Sequence, residues 1–278
     1  LNESMRYQLG MLDSLDAFTR VHSENVANLT CRLCEYMRLN NAFTVYCTMC
    51  AYLHDIGKMF IPPAILQKTS DLTDEEFEIM KKHTTLGYKM CMDDLKLRPY
   101  SAGPIYHHEA LNGSGYPKGL TGKDIPLEGQ IIRVADEFDA IASKRQYKSH
   151  VGISETLKML VNDANSGKIN KKALKCLFKV IIDDTNYEIS GIFDYTKHLS
   201  SQIKRLEEID KFNEKMQNAK SENKKEYFRA GMKYLFEDGE NFENYKNVLE
   251  EYKTALAKRK EKINELFNEI KEIKKLRV

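Results

Sequence analysis

Apolar side chains recur at three- and four-residue steps over residues 21–39, 42–54, 74–92, 127–142, 153–164 and 171–182. That period is the signature of one buried face on an α-helix, and strand-type alternation is scarce, so the pattern predicts an all-α fold. Local start signals agree with it. Thr73-Asp74-Glu75-Glu76 reads as a capping box with Thr73 as N-cap and Glu76 at the third helical position. Gly152 closes a loop, and Ser154-Glu155 opens the next helix. Between residues 111 and 122 the periodicity fails. Gly113, Gly115, Gly119 and Gly122 with Pro117 predict a shaped surface loop of the kind that often carries recognition, with a plain connector as the alternative.

Beyond about Asp184 the chain is rich in Lys, Glu and Asn, and its apolar positions narrow to stripes such as Ile263, Leu266, Phe267, Ile270 and Ile273. The change divides the chain into a first domain, 1–184, and a charged helical extension, 185–278, with a turn at Asp238-Gly239. Three readings of the extension stay open: a coiled-coil element for homodimerisation, a helical layer folded back on the core, and a solvated charge-rich helix. A helical hairpin used for dimerisation or packing is the favoured one. Residues 227–256 faintly resemble a helical repeat in single copy.

Five of the seven histidines fall in one pattern with two aspartates: His22, His54-Asp55, His83, His107-His108 and Asp136. Neutral imidazole and carboxylate are ligands for Fe, Mn, Zn or Ni, and a carboxylate can bridge two ions through its two oxygens. Asp55, directly after His54, is the natural bridge. The pair ends the apolar run Ala51-Tyr52-Leu53, and Gly57 is expected to let the backbone turn there. A single His is as easily a hydrogen-bonded core residue; the joint set argues for a polynuclear site. Cys31-x2-Cys34 and Cys47-x2-Cys50 offer a competing zinc pattern. Both pairs lie in segments of helical apolar character, where cysteines three apart share one face and behave as small buried hydrophobes.

These residues resemble a known family. His54-Asp55-Ile56-Gly57-Lys58 looks like the HD signature of metal-dependent phosphohydrolases. His107-His108-Glu109, Asn112 to Pro117 and Val134 to Ala140 narrow the resemblance to the HD-GYP family, in order and spacing from about Asp16 to Phe178. The resemblance implies a helical HD-superfamily bundle with a C-terminal helical extension, and a phosphodiesterase hydrolysing cyclic-di-GMP to linear pGpG or GMP by a metal-bridged hydroxide. It makes His22, His54, Asp55, His83, His107, His108 and Asp136 the metal ligands. Asp55 and Lys58 become catalytic residues, and Lys58, Arg145, Lys148, Tyr116, Pro117 and Asp139 face the substrate. It also implies two divalent ions, Fe or Mn first and Ni or Zn as alternatives, and contacts of the Gly-Tyr-Pro loop with GGDEF-domain proteins. Alternatives are a catalytically weak signalling module, and an HD hydrolase of cyclic GMP-AMP or another nucleotide.

Two ions roughly 3.5 to 4 Å apart would activate a water and polarise the phosphate. Arg145 and Lys148, three residues apart and soon after Asp136, would add positive charge on the side away from the metals. The chain departs from the family pattern at Phe18, where members with a third metal carry Glu, which predicts a binuclear site. Asn25 stands where Arg is frequent, and Leu111 where an aromatic is usual. With 43 basic against 41 acidic residues and net charge +2, the chain has no nucleic-acid footprint. No run approaches the ~20 apolar residues of a membrane span, and six thiols suit a reducing cytoplasm. The start at Leu1 rather than Met is expected of a piece whose regulatory part lies upstream.

Overall fold

The computed structural model describes residues 17–143 and 152–278, together with Gly10. The described residues form helices joined by turns and loops, with no named strand. The fold is all-α, as the periodicity predicts. In chain order the helices are α1 (Ala17–Tyr36), α2 (Asn41–Leu53), the short α3 (Pro63–Leu66), α4 (Asp74–Asp93), the short α5 (Ala102–Tyr106), α6 (Leu127–Ser143), α7 (Ile153–Asn165), α8 (Lys171–Gln217), α9 (Glu222–Leu235) and α10 (Tyr245–Lys275). Tight 3-10 turns occupy Ile56–Phe60 and Arg98–Tyr100.

Side chains at the helix starts satisfy the backbone donors that a first turn leaves orphaned. Asn40 accepts from the Phe43 amide ahead of α2, and Ser221 accepts from Lys224 ahead of α9. The capping box at Thr73 is complete: its hydroxyl accepts from the Glu76 amide while the Glu76 carboxylate accepts from the Thr73 amide. Before α7, Gly152 occupies the cap position and the helix opens at Ile153.

The chain divides into two compact units. The first ends at Ile182 and takes back Glu272–Val278; the second is Asp183–Lys271. In the first, α1 packs on α2 and α6. Their apolar faces meet in a core that includes Val26, Leu33, Ile131, Val134, Leu157, Leu174 and the returning Ile273. Cys34, Cys47 and Cys50 are buried in the same cluster, and Cys91 sits in a smaller one with Leu53, Ile56 and Leu97.

In the second unit, Ile203, Leu206, Ile209, Met232, Tyr245 and Leu249 pack together, and Ile189 packs with Leu266 and Ile270. The stripe at Leu266 and Ile270, read from sequence as needing a partner, is thus covered within the chain. Arg205 ties this unit, its guanidinium reaching both Glu240 oxygens at 2.6 Å and the Leu235 carbonyl at 2.7 Å. Three helical segments build it, where a hairpin was expected. The extra one is the distal part of α8, which continues 35 residues past the predicted end at 182 to Gln217. Residues 183–217 contain no proline and a single glycine, Gly191, so thinning of the apolar stripe does not stop the helix. No helix among the described residues is long and apolar enough to cross a membrane.

Thr73→Ala removes one half of the capping box at an exposed helix start; it is expected to lower stability by about 1 kcal/mol in denaturant unfolding.

Candidate metal centre

The site assembles where α2 runs out. His54 caps α2, Asp55 follows, and the 3-10 turn over Ile56–Phe60 carries Lys58. His22 comes from α1, His83 from α4, His107 and His108 from the end of α5, and Asp136 from α6. Gly57 is needed for close approach and not for a turn. It lies inside the 3-10 turn without a positive φ, and a Cβ there would stand 1.9 Å from the His83 carbonyl oxygen. That approach places Asp55 beside His83.

Three of the imidazoles are aimed by backbone carbonyls of their own turns. Nδ1–H of His54 donates to Ala51 at 2.6 Å, that of His83 to Met80 at 2.6 Å, and that of His107 to Gly103 at 3.0 Å. With the outer nitrogen protonated, Nε2 turns a lone pair inward. His83 Nε2 and His107 Nε2 then face each other at 3.2 Å as two acceptors.

Asp55 divides its two oxygens between these groups. Oδ1 lies 3.4 Å from His83 Nε2 and 3.8 Å from His107 Nε2. Oδ2 lies 3.2 Å from His54 Nε2, 3.7 Å from His22 Nε2 and 2.6 Å from Lys58 Nζ. Asp136 faces His22 Nε2 at 3.0 Å through Oδ1 and His108 Nδ1 at 3.7 Å through Oδ2. Three overlapping triads result: His83, His107 and His108; His22, His54 and Asp136; His54, Asp55 and His107, each with ligand atoms within 4.8 Å of one another.

The protonation states favour a cation. Burial lowers the pKa of His83 and drives those of His107 and His108 down, His108 to about 3. For both carboxylates burial opposes ionisation and is outweighed. Lys58 and His54 hold Asp55 well below the usual range, and His22 and His108 do so for Asp136. Burial also opposes charging of His22, but hydrogen bonds with Asp136 and Asp139 raise it to about 10. His22 is then an imidazolium between two carboxylates, and a divalent cation on Nε2 would replace that proton. The donor set therefore fits a metal: neutral imidazoles, ionised carboxylates, and two fully buried atoms, His54 Nε2 and Asp55 Oδ1, without a hydrogen-bond partner.

The remaining sequence candidates divide. Lys58 sits at the edge of the cluster, its side chain about one-fifth exposed. Tyr116 stacks on His108 with ring centroids 4.7 Å apart, and Pro117 follows it along a surface groove. Asp139, placed with the substrate contacts on sequence grounds, bonds His22 Nδ1 at 2.7 Å from behind. In that position it orients an imidazole. Arg145 and Lys148 lie outside the described residues.

Two further residues were not singled out from sequence. Glu109 is buried, and its oxygens accept from the amides of Lys118 at 2.7 Å and Leu120 at 2.8 Å, pinning the glycine loop to the His107-His108 segment. Gly115 packs so closely there that a Cβ would meet the Ala110 nitrogen at 2.2 Å. Arg133 donates to the carbonyls of His108 at 2.8 Å and Glu109 at 3.2 Å, and pairs with Glu137 one helical turn on. Burial raises the Glu137 carboxyl to about 7 against the pull of Arg133. The i, i+4 spacing of Arg133 and Glu137 was the available signal; for Glu109, adjacency to two histidines was.

The helical bundle gathers five imidazoles and two carboxylates into groups that could hold a metal ion. The chain belongs to the HD-domain family, whose model matches residues 9–172, and carries the motifs of its HD-GYP branch. HD-domain phosphohydrolases are metal-dependent. It is 42% identical over 158 residues to a cyclic di-GMP phosphodiesterase of Thermotoga maritima, covering 55% of this chain and 42% of that protein. It is 38% identical over 161 residues to cyclic di-GMP phosphodiesterase PdeB of Borreliella burgdorferi, covering 58% and 42%. With 3'3'-cGAMP-specific phosphodiesterase 1 of Vibrio cholerae it shares 29% identity over 185 residues, covering 65% and 41%. The chain thus spans less than half the length of these curated relatives.

Glu109→Gln leaves one side-chain acceptor for the two loop amides of Lys118 and Leu120. It is expected to cost about 1 to 3 kcal/mol, and to speed hydrogen exchange at Lys118 and Leu120 ahead of the helical amides.

Proposed function

We propose that this chain is the catalytic part of a metal-dependent phosphodiesterase that hydrolyses cyclic-di-GMP to pGpG or GMP. The observation that carries the reading is Asp55, buried, ionised and with each oxygen turned to a different group of imidazoles. That is the arrangement a bridge between two divalent ions requires, with His22, His54 and Asp136 on one side and His83, His107 and His108 on the other. Fe or Mn suits this all-nitrogen-and-oxygen set. Two such ions, when bound, supply an activated water and polarise the phosphate.

The chain's own residues prepare that chemistry. The carbonyls of Ala51, Met80 and Gly103 fix three imidazole tautomers, so these three rings already turn a lone pair inward. Asp139 does the same for His22. Lys58 is anchored on Asp55 at 2.6 Å and is only partly buried, so its ammonium stands where charge accumulates on phosphate oxygens. Arg145 and Lys148, outside the described residues, are proposed to grip the substrate phosphate, as the family resemblance implies. Stacking of Tyr116 on His108 shields that imidazole from solvent.

A second reading, hydrolysis of 3'3'-cyclic GMP-AMP, is supported by the Vibrio cholerae relative named for that substrate. It uses the same site and differs in the bases recognised.

The test is turnover of cyclic-di-GMP by protein purified without oxygen and loaded with Fe or Mn, beside two variants. Wild type is expected to yield linear dinucleotide or GMP. Asp139→Asn is expected to lower metal affinity about 10- to 100-fold, and Asp55→Ala to lose both metal and turnover. Full metal occupancy in Asp55→Ala would refute the bridge.

A further inference from the structure

Beside Tyr116 a groove of about 200 Å³ opens between α4 and the glycine loop, lined by Glu78, Lys81, Lys82, Thr85, Tyr116 and Pro117. Tyr116 supplies the aromatic lining, and the exposed Phe77 ring, which is not itself part of the lining, meets it edge to face with centroids 6.2 Å apart. Over both rings stands a single ammonium, Lys81 Nζ, at 5.3 Å from the Phe77 centroid and 5.8 Å from that of Tyr116. Glu78, one turn earlier on α4, is ion-paired with Lys81. The groove adjoins the metal centre, because the Tyr116 ring that lines it is the ring stacked on His108.

A cyclic dinucleotide whose phosphate sits at the cluster must place its bases to either side. A groove with an aromatic lining and a lysine held beside it suits a base: the aromatic edges offer apolar and edge-to-face contact, which every base can use, and the ammonium selects among edges. Guanine presents two acceptors, N7 and O6, on one edge, whereas adenine presents an acceptor at N7 and a donor at N6. An ammonium donates only. Lys82, also lining the groove, adds a second donor of the same kind.

Resting on the phosphodiesterase reading above, we propose that this groove is the base subsite, that it takes a guanine, and that Lys81 donates to the O6/N7 edge. The groove thereby sets the preference for guanine over adenine, and Lys81 is a specificity-determining residue.

The experiment compares wild type with Lys81→Met, which keeps an unbranched apolar stem over the rings and removes the donor. Both proteins, loaded with the same metal, are assayed on cyclic-di-GMP and cyclic-di-AMP, with metal content and thermal unfolding as controls. The ratio of kcat/KM for the guanine substrate over the adenine one is expected to fall about tenfold in Lys81→Met, through a raised KM for cyclic-di-GMP, at unchanged metal content. Turnover by wild type with an unchanged ratio in the folded variant would overturn the subsite alone. No turnover of either substrate by metal-loaded wild type would overturn the underlying reading and the subsite with it. Lys81→Arg, which restores donors, is expected to recover most of the ratio; failure to do so in a protein that lost it on Lys81→Met would assign the effect to packing and overturn the donor role.

Discussion

Inside the first unit, lone pairs and negative charges crowd one another with too few protons to go round. His54, His83 and His107 each donate their outer N–H to the backbone and turn an acceptor inward, toward two carboxylates held ionised. A buried polar atom left without a partner costs on the order of 1 to 3 kcal/mol, and His54 Nε2 and Asp55 Oδ1 are two of them. The sequence accepts that cost in the middle of its core. Divalent cations would give these inward-facing atoms partners, and that would couple binding to stability at this site.

The scaffold around the cluster follows from this constraint. His54, His83 and His107 each lie about one turn from the carbonyl that fixes their tautomer, His22 is held by Asp139, and Gly57 lets the Asp55 turn approach the α4 backbone. The glycine loop is held to the same frame by buried charges. Glu109 clasps its two amides from below, while Arg133 fixes the carbonyls on either side of the His108–Glu109 peptide bond. Tyr116 consequently rests on the His107-His108 segment. Whatever the groove beside it binds is placed relative to the cluster by rigid backbone.

Much of this was legible in the chain itself. Periodicity located the helices because each one here buries a face, and the Thr73 box was readable because its hydrogen bonds join residues three apart. The histidines and aspartates could be grouped because imidazole and carboxylate in such density have few other uses. What escaped were properties of distance. Gly57 looked like a turn residue, since no sequence pattern shows that His83 will approach it. Asp139 is a substrate residue only by the family resemblance, and its bond to His22 could not be read from sequence because it joins residues 117 apart. The helix that should have ended near 182 continued to Gln217, because continuation needs only the absence of breakers while its covering partners lie far along the chain.

X-ray absorption of the metal-loaded protein would decide whether the interior His/Asp cluster holds two metals. A two-metal centre there gives nitrogen and oxygen scatterers alone in the first coordination sphere, the outer-sphere signature of several imidazoles, and a metal–metal vector of about 3.5 to 4 Å. Sulfur in the first sphere would move the metal to the cysteines. A lone metal without imidazole scattering would contradict the centre described here.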